Sequence, residues 1–142
     1  MKKAFTIIEL LIVMSVMAIL IAIAIPSFRG MQQEAQKAKA QGDVQVIKIA
    51  VESYYKNNGS YPAVANYQAT LLAATPKILE SNLYDPFGAA ATTMYTYALS
   101  TNGKYYVAYS VGPGGTGAMT ISDAGVVAKT VGDPVWASNG SM

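Results

Sequence analysis

The sequence predicts an α+β fold in which one long N-terminal α-helix packs on a small antiparallel β-sheet. Three observations predict it. Phe5 to Ile25 is an apolar run, the following segment alternates apolar and polar residues at helical spacing, and the second half places Tyr- and Val-rich segments around turns that contain Gly. The 142 residues are 52% hydrophobic and 13% charged, which is typical of a small domain that carries one membrane-length helix.

The apolar run is long enough to cross a bilayer. Its 21 residues, FTIIELLIVMSVMAILIAIAI, would form a helix of about 31 Å, close to the thickness of the hydrocarbon core. Lys2 and Lys3 precede it, and positive charge keeps that end of a helix in the cytoplasm, so the rest of the chain is expected across the membrane. Glu9 is the one acid in the run. An acid retained within a membrane segment usually has a partner, so Glu9 is predicted to be an assembly residue.

The N-terminal string KKAFTIIELLIV, residues 2–13, resembles the class III leader of type IV pilins and type II secretion pseudopilins. In that family, prepilin peptidase removes a short basic leader on the cytoplasmic face and N-methylates the new first residue. The resemblance implies a leader over residues 1–4, cleavage between Ala4 and Phe5, and methylation of Phe5. It also makes Glu9 the acidic fifth residue of the mature chain. The family usually has Gly where this chain has Ala4.

Charge pairing explains why a filament of such chains needs Phe5 and Glu9. Cleavage would free an α-amine on Phe5, and such amines have a pKa near about 8, so this one would be largely protonated at neutral pH. A buried cation needs an anion close by, and Glu9 of the same or a neighbouring copy can supply it when the apolar helices pack together. Because both charges must be desolvated, the pair sets register more than it adds stability. Residues 5–26 are therefore predicted to be both membrane helix and assembly helix of a homopolymer.

The helix is predicted to continue beyond the apolar run. Pro26 lacks an N–H group and should bend or loosen the helix, as the resemblance also implies. Residues 27–57 then form an amphipathic continuation, which the triplet Asn57-Asn58-Gly59 ends. Gly30 and Gly42 each weaken a helix by about 1 kcal/mol relative to Ala. One interpretation is that residues 26–42 soften on assembly, and the other is that the glycines give packing clearance.

Residues 58–142 are predicted to form the globular head. A short helix is expected over Tyr67–Ala74, a turn over Asp85–Gly88, and two β-hairpins that give three or four antiparallel strands. The predicted hairpin strands are Met94–Ser100 with Lys104–Val111, joined at Asn102-Gly103, and Ala118–Ser122 with Val126–Val131. Seven of the ten tyrosines lie on helix and strand patterns and are predicted to fill the core rather than to serve electron transfer or adhesion: Tyr54, Tyr55, Tyr95, Tyr97, Tyr105, Tyr106 and Tyr109. The tail after Val131, which holds the lone Trp136, is expected to contact the head or the next copy.

The head resembles the globular domain of the major pseudopilin of type II secretion systems. The strings that carry the resemblance are NNGSYPA, LYDPFG, YTYALS and YYVAYSVGPGG. That family commonly binds calcium in the loop that follows the strand within the last of these strings. Here the loop, Gly112–Gly117, has no carboxylate, whereas calcium takes six to eight oxygens, carboxylates among them. No cofactor is therefore expected.

Composition excludes several classes of function. The chain has no Cys and no His, which removes disulfides, thiolate ligands and the commonest general base, and its acids form no catalytic motif. An enzyme is not expected. Without Lys2 and Lys3 the 10 basic residues become 8, equal to the 8 acidic ones, so nucleic acid is not expected as a main partner.

These features predict a structural subunit of a helical filament, with the major pseudopilin that acts as a secretion piston favoured. A major type IV pilin for adhesion or motility is the alternative within the family. An alternative of a different class is a secreted periplasmic binding domain, since Ala22-Ile23-Ala24 is a small-x-small site for ordinary signal cleavage. The resemblance implies prepilin peptidase, an inner-membrane assembly platform, an ATPase and membrane lipid as partners. It also implies a precursor in the bacterial inner membrane and a periplasmic or extracellular filament.

Overall fold

A computed structural model describes residues 5–141 of the chain. The residues divide into two compact units, one that ends at Ala35 and one that begins at Gln36, and α1 (Ile7–Asn58) contributes to both. The second unit adds a 3₁₀ turn (Val64–Asn66), α2 (Tyr67–Ala73) and five strands: β1 (Thr96–Leu99), β2 (Tyr106–Ser110), β3 (Ala118–Ile121), β4 (Val127–Val131) and β5 (Val135–Ser138). This is the predicted α+β class, a long helix with small antiparallel sheets.

The first unit is the N-terminal part of α1, which is exposed along its whole length. Apolar residues fill its first part, residues 5–25, almost completely, whereas residues 26–35 include Ser27, Arg29, Gln32, Gln33 and Glu34. Pro26 lies inside α1, and the helix continues on both sides of it. The predicted bend at this residue stays a prediction.

The core of the second unit lies between α1 and the sheet β1-β2-β5. The buried face of the helix consists of Ala40, Val44, Ile47, Ala50 and Val51, at spacings of three, four and one that place them on one side. β2 is the central strand and pairs antiparallel with both neighbours. Strand residues alternate between faces, so the side chains of β2 enter two different clusters, and all five of its residues are buried.

The hairpin of β3 and β4 covers the other face of that sheet. Tyr106 and Ala108 of β2 join the cluster that contains α1, whereas Val107 and Tyr109 pack with Met119 of β3 and Val127 of β4. The second unit therefore has three layers: helix, three-stranded sheet and two-stranded hairpin. This arrangement explains why β2 has no polar alternation in its sequence.

The predicted helix ends and the first turn of the head are confirmed. α1 ends at Asn58, followed by Gly59 with φ +73°, a left-handed conformation that favours Gly after a helix. The short helix α2 ends at Ala73, one residue before its predicted end. The backbone N–H of Gly88 donates to the carbonyl of Asp85 at 3.0 Å, which closes the predicted turn.

The first hairpin has a different turn from the predicted one. A two-residue Asn-Gly turn needs positive φ at both residues, but among residues 5–141 no residue other than Gly has it, and only Gly103 does so here, at +68°. The turn instead spans Ser100 to Gly103, whose N–H donates to the Ser100 carbonyl at 2.9 Å. The reason is tertiary: the backbone N–H of Asn102 donates to Asp123 Oδ1 at 2.8 Å, which ties this turn to the turn of the second hairpin.

The tail folds onto the head, so the expected contact is confirmed there. β5 pairs antiparallel with β2, with Ala137 opposite Ala108 and Trp136 opposite Tyr109. Trp136 is half-buried and packs against the cluster of the second hairpin. The prediction of three or four strands is thereby wrong, since β5 raises the number to five within the described residues.

Of the tyrosines predicted to fill the core, four are buried whereas Tyr55 is 42% exposed, and two of the buried ones also fasten the helix to the sheet. Tyr95, Tyr97, Tyr106 and Tyr109 are buried. The hydroxyl of Tyr95 donates to Asp43 Oδ2 at 2.8 Å, and that of Tyr106 donates to Glu52 Oε1 at 3.0 Å. Both carboxylates lie on α1, so these hydrogen bonds join two layers that apolar packing already holds together.

Candidate functional site

The apolar N-terminal helix is the most unusual surface of the described residues. Its large side chains are between 87% exposed, at Phe5, and 49% exposed, at Ile25. An 18-residue window of α1 has a mean hydropathy of 2.9 and contains no buried residue, and α1 is the one helix in residues 5–141 that is long and apolar enough to cross a membrane. An apolar surface of this extent requires lipid or other protein around it.

Glu9 lies one helical turn after Phe5 and is held by Thr6. The backbone N–H and the hydroxyl of Thr6 both donate to Glu9 Oε2 at 2.9 Å, and the backbone N–H of Glu9 donates back to Thr6 Oγ1 at 3.2 Å. This reciprocal arrangement is a capping box, which satisfies donors that a helix start otherwise leaves free. The role of Thr6 is an addition to the predicted site, and the spacing Thr-x-x-Glu is the signal that indicates it.

The capping box leaves Glu9 able to bind a second donor. Within the described residues its hydrogen bonds use Oε2 alone, and the side chain is exposed. The carboxylate also lies in the first turn of α1, where the helix dipole favours negative charge. A cation such as an α-amine can therefore approach without displacing Thr6. Ala4, the other side of the predicted cleavage site, lies outside the described residues together with the rest of the leader, residues 1–4.

Ser15 is the remaining polar side chain of the apolar run, and it is also satisfied within the helix. Its hydroxyl donates to the carbonyl of Leu11 at 2.7 Å. Hydroxyls that bond to the preceding turn in this way avoid the cost of an unsatisfied polar group in hydrocarbon. The segment is thus compatible with lipid without any partner chain.

The carboxylates of the head have structural partners and do not form a catalytic cluster. Asp85 is buried and accepts hydrogen bonds from the hydroxyl of Ser110 at 2.7 Å, the N–H of Val111 at 2.8 Å and the N–H of Phe87 at 3.0 Å. These bonds fasten the turn after Tyr84 to the end of β2. In residues 5–141 no group of three or more metal-binding side chains is present.

The loop from Gly112 to Gly117 does not fit calcium. The N–H of Gly115 donates to Gly112 and that of Gly117 to Val111, at 2.9 and 2.7 Å, so the loop is closed by its own backbone. Two acids adjoin it. The oxygens of Asp85 are used as described above, and those of Asp133 lie 3.7 Å from Lys37 Nζ and 3.5 Å from Lys129 Nζ. Calcium needs more free carboxylate oxygens than this set provides.

Comparison with known proteins identifies the N-terminal segment. Residues 1–25 match the family described as the prokaryotic N-terminal methylation motif. The chain carries the leader motif of type IV prepilins. The predicted resemblance is confirmed to that extent, and the apolar helix together with this motif fits a membrane-anchored precursor.

Its relatives are pilins and a secretion-system protein. The chain is 39% identical over 62 residues, 44% of its length, to the type IV major pilin protein PilE1 of Neisseria gonorrhoeae. It is 34% identical over 94 residues, 61% of its length, to a fimbrial protein of Pseudomonas aeruginosa. It is 28% identical over 73 residues, 51% of its length, to type II secretion system core protein G of Escherichia coli strain K12.

The matches cover 38%, 55% and 50% of these relatives' own lengths. No solved structure matches the chain. The relatives are structural proteins and not enzymes, which agrees with the prediction from composition. Over part of its length the chain is therefore similar both to type IV pilins and to a type II secretion protein.

Proposed function

We propose that this chain is the structural subunit of a helical filament that assembles from a membrane-inserted precursor. One observation carries the proposal: an exposed, membrane-length apolar helix begins with a Thr6–Glu9 capping box, and both lie within a match to the N-terminal methylation motif over residues 1–25. A plain membrane anchor needs neither the acid nor the motif. The alternative of ordinary signal cleavage after Ala24 would cut α1 within its helical residues.

Assembly follows from the chemistry of the new N-terminus. Prepilin peptidase cleaves between Ala4 and Phe5 and methylates the Phe5 amine. That amine pairs with Glu9 of a neighbouring copy and sets the register of each subunit. The driving force for the helices to leave lipid is close packing with identical helices, since lipid tails are as apolar as the helices themselves. Extraction requires an assembly platform and an ATPase in the inner membrane, which leaves the filament in the periplasm or outside the cell.

Within this role we favour a major pseudopilin of a type II secretion system, with the filament acting as a secretion piston. The match to core protein G of Escherichia coli supports it, as do the resemblance of the head strings and the absence of Cys from the sequence. The second candidate is a major type IV pilin. The match to the Pseudomonas aeruginosa fimbrial protein favours it, because it covers the larger share of this chain at higher identity.

Electron microscopy of the native host tests whether the chain forms filaments and whether these filaments are pseudopili or pili. Cells with the unmodified gene, cells that overproduce the chain and cells with Glu9→Gln are compared by immunogold labelling. Long labelled filaments on unmodified cells indicate a pilus, and filaments that appear only on overproduction indicate a pseudopilus. Glu9→Gln should enter the membrane and give no filaments. If overproducing cells contain membrane-inserted or soluble chain and no filament, the proposed function is wrong.

A further inference from the structure

The head contains three Asn-Gly pairs, which are able to modify themselves without an enzyme. They are Asn58-Gly59, Asn102-Gly103 and Asn139-Gly140. In such a pair the backbone nitrogen of Gly attacks Cγ of Asn, so that a C–N bond forms while the side-chain nitrogen leaves as ammonia. Water then opens the five-membered succinimide to aspartate or isoaspartate. Because Gly has no Cβ to obstruct the attack, the sequence makes all three pairs reactive, and the fold decides between them.

Asn139 is half-buried, and hydrogen bonds hold both ends of its amide. Its Oδ1 accepts from the backbone N–H of Tyr106 at 2.9 Å. Its Nδ2 donates to the hydroxyl of Tyr61 at 2.9 Å and to the carbonyl of Lys104 at 3.0 Å. The attacking group is held as well, because the N–H of Gly140 donates to a serine hydroxyl at 2.7 Å. Succinimide formation at this pair requires all four hydrogen bonds to break.

Asn102 is exposed, but the turns of the two hairpins hold its amide. Its Oδ1 accepts from the hydroxyl of Ser100 at 2.8 Å and from the N–H of Lys104 at 3.0 Å. Its Nδ2 donates to the carbonyl of Asp123 at 2.9 Å. The N–H of Gly103 donates to the Ser100 carbonyl at 2.9 Å. This pair also has four hydrogen bonds to break, and one of them joins two separate turns.

Asn58 is exposed and is held by the last turn of α1 alone. Its Nδ2 donates to the carbonyl of Tyr54 at 3.0 Å, and the N–H of Gly59 donates to the carbonyl of Tyr55 at 2.7 Å. Within residues 5–141 the side chain of Asn58 makes no other hydrogen bond. Terminal turns of helices open more readily than the core of a domain does. A single opening of this turn frees both the attacking nitrogen and the amide.

We propose that Asn58 is the site at which this chain deamidates, and that the fold protects Asn102 and Asn139. The reaction consumes one water molecule and releases one ammonia, and a carboxylate replaces the neutral amide. The balance of 8 basic and 8 acidic residues that remains without Lys2 and Lys3 shifts to one excess negative charge. Because the reaction takes place within one chain, it does not depend on filament assembly.

Deamidation of Asn58 changes the end of α1. The new carboxylate lies at the C-terminal end of the helix, where the helix dipole disfavours negative charge. A carboxylate has no N–H group, so the hydrogen bond to the Tyr54 carbonyl is lost. Isoaspartate also adds one carbon atom to the main chain between α1 and Tyr61. The ring of Tyr61 stacks on that of Tyr55 with centroids 4.5 Å apart, so this contact has to adjust.

Peptide mass spectrometry of the aged protein tests the proposal, with the other two pairs as internal controls. The full chain is incubated in detergent micelles at pH 8 and sampled over several weeks. Trypsin places each Asn-Gly pair in its own peptide, residues 57–77, 78–104 and 130–142. Aspartate and isoaspartate products are recognised by a mass gain of one dalton and by their separate elution. The Asn58 peptide should deamidate at least about tenfold faster than either other peptide, a factor that corresponds to about 1.4 kcal/mol of opening free energy.

Two comparisons show whether the fold causes the difference. In guanidinium chloride the three peptides should deamidate at similar rates, because Gly follows Asn in each and no hydrogen bond protects any of them. Asn58→Gln keeps the amide donor but forms the larger ring slowly, so it should abolish the rapid modification and leave the other two peptides unchanged. Folded protein in which Asn58 reacts no faster than Asn102 or Asn139 overturns the proposal. A difference of the same size in guanidinium chloride overturns it too, because local sequence would then be the cause.

Discussion

Glu9 and Asp85 are both carboxylates that accept hydrogen bonds from their own chain, yet they lie in opposite surroundings. Glu9 is exposed at the start of α1 and uses one oxygen toward Thr6, which leaves capacity for a cation from another copy. Asp85 is 3% exposed and uses both oxygens toward the backbone and Ser110. The first is suited to assembly and the second to fixing a loop.

Replacement of Thr6 tests the capping box. Thr6→Val removes the hydroxyl that accepts from the Glu9 N–H, and loss of such a cap costs about 1 kcal/mol. We therefore expect amide hydrogen exchange in the first turn of α1, measured on the processed chain in detergent micelles, to accelerate about fivefold. Thr6→Ser keeps the hydroxyl and should exchange like the unmodified chain. Equal rates in all three proteins would show that Thr6 does not hold Glu9.

Replacement of Asp85 tests its role in the head. Asp85→Ala leaves the N–H of Val111 and the hydroxyl of Ser110 without an acceptor in a buried site, which should cost about 2–4 kcal/mol of unfolding free energy. Urea unfolding followed by the fluorescence of Trp136 measures it. Glu80→Ala is the matched control, because its exposed pair with Lys77 is worth about 0.5 kcal/mol or less. A cost for Asp85→Ala no larger than that of the control would contradict the assigned role.

At the scale of elements, sequence patterns correctly predicted the helix ends and strands that depend on residues close together in the chain. Gly59 ends α1 because a left-handed residue closes the last turn, and the strands of the first hairpin follow from Tyr- and Val-rich segments around Gly. The capping box was also readable, since Thr6 and Glu9 are three residues apart. These features depend on residues that are close together in the sequence.

The parts that the sequence did not predict depend on residues far apart. β5 has only four residues, and Gly132 and Pro134 precede it, so its strand conformation comes from pairing with β2 rather than from its own propensity. Asp85 meets Ser110, 25 residues later, only in the folded head. The turn at Asn102 likewise depends on Asp123, 21 residues away. No local pattern encodes such pairs.

Calcium chelation tests whether calcium binds to the loop that resembles the family's metal-binding loop. The loop from Gly112 to Gly117 is closed by backbone hydrogen bonds and lacks free carboxylates, so thermal unfolding of the head should be the same in millimolar calcium and in excess EGTA. A head that bound calcium at 100 times its Kd would gain about 2.7 kcal/mol, which corresponds to a shift of several degrees in Tm. A shift of that size would show that oxygens other than those of Asp85 and Asp133 form a site.

At the scale of the whole molecule, the second unit is a head whose core contains buried tyrosines, and the first unit is a helix whose apolar side chains are exposed. Desolvation raises the pKa of Tyr67 to about 12, and desolvation also raises the pKa values of Tyr95, Tyr97 and Tyr106. For Tyr95 and Tyr106, hydrogen bonds to Asp43 and Glu52 add to this effect, because a carboxylate opposes a second negative charge. In the folded head these four tyrosines therefore stay protonated to a higher pH than a free tyrosine does.

Alkaline unfolding tests this arrangement. Below pH 10 tyrosines are protonated in both the folded and unfolded chains, so their contribution to stability is complete. Above pH 10 the unfolded chain releases these protons first, and the unfolding free energy should fall steadily as the pH rises toward 12. Urea unfolding between pH 8 and 12, with tyrosinate absorbance recorded in parallel, measures both. Tyrosinate that forms in full near pH 10 without loss of the fold would contradict the buried, neutral tyrosines.

The N-terminus of the protein from its native host tests the central claim most directly. Intact mass and N-terminal peptide mass spectrometry distinguish three chains: one that retains Met1, one that begins at Phe5 and one that begins at Ile25. A filament subunit made from a prepilin predicts a chain that begins at N-methylated Phe5. A chain that begins at Ile25 would have lost Glu9 and most of the apolar helix, and it would contradict the filament account in favour of a secreted domain.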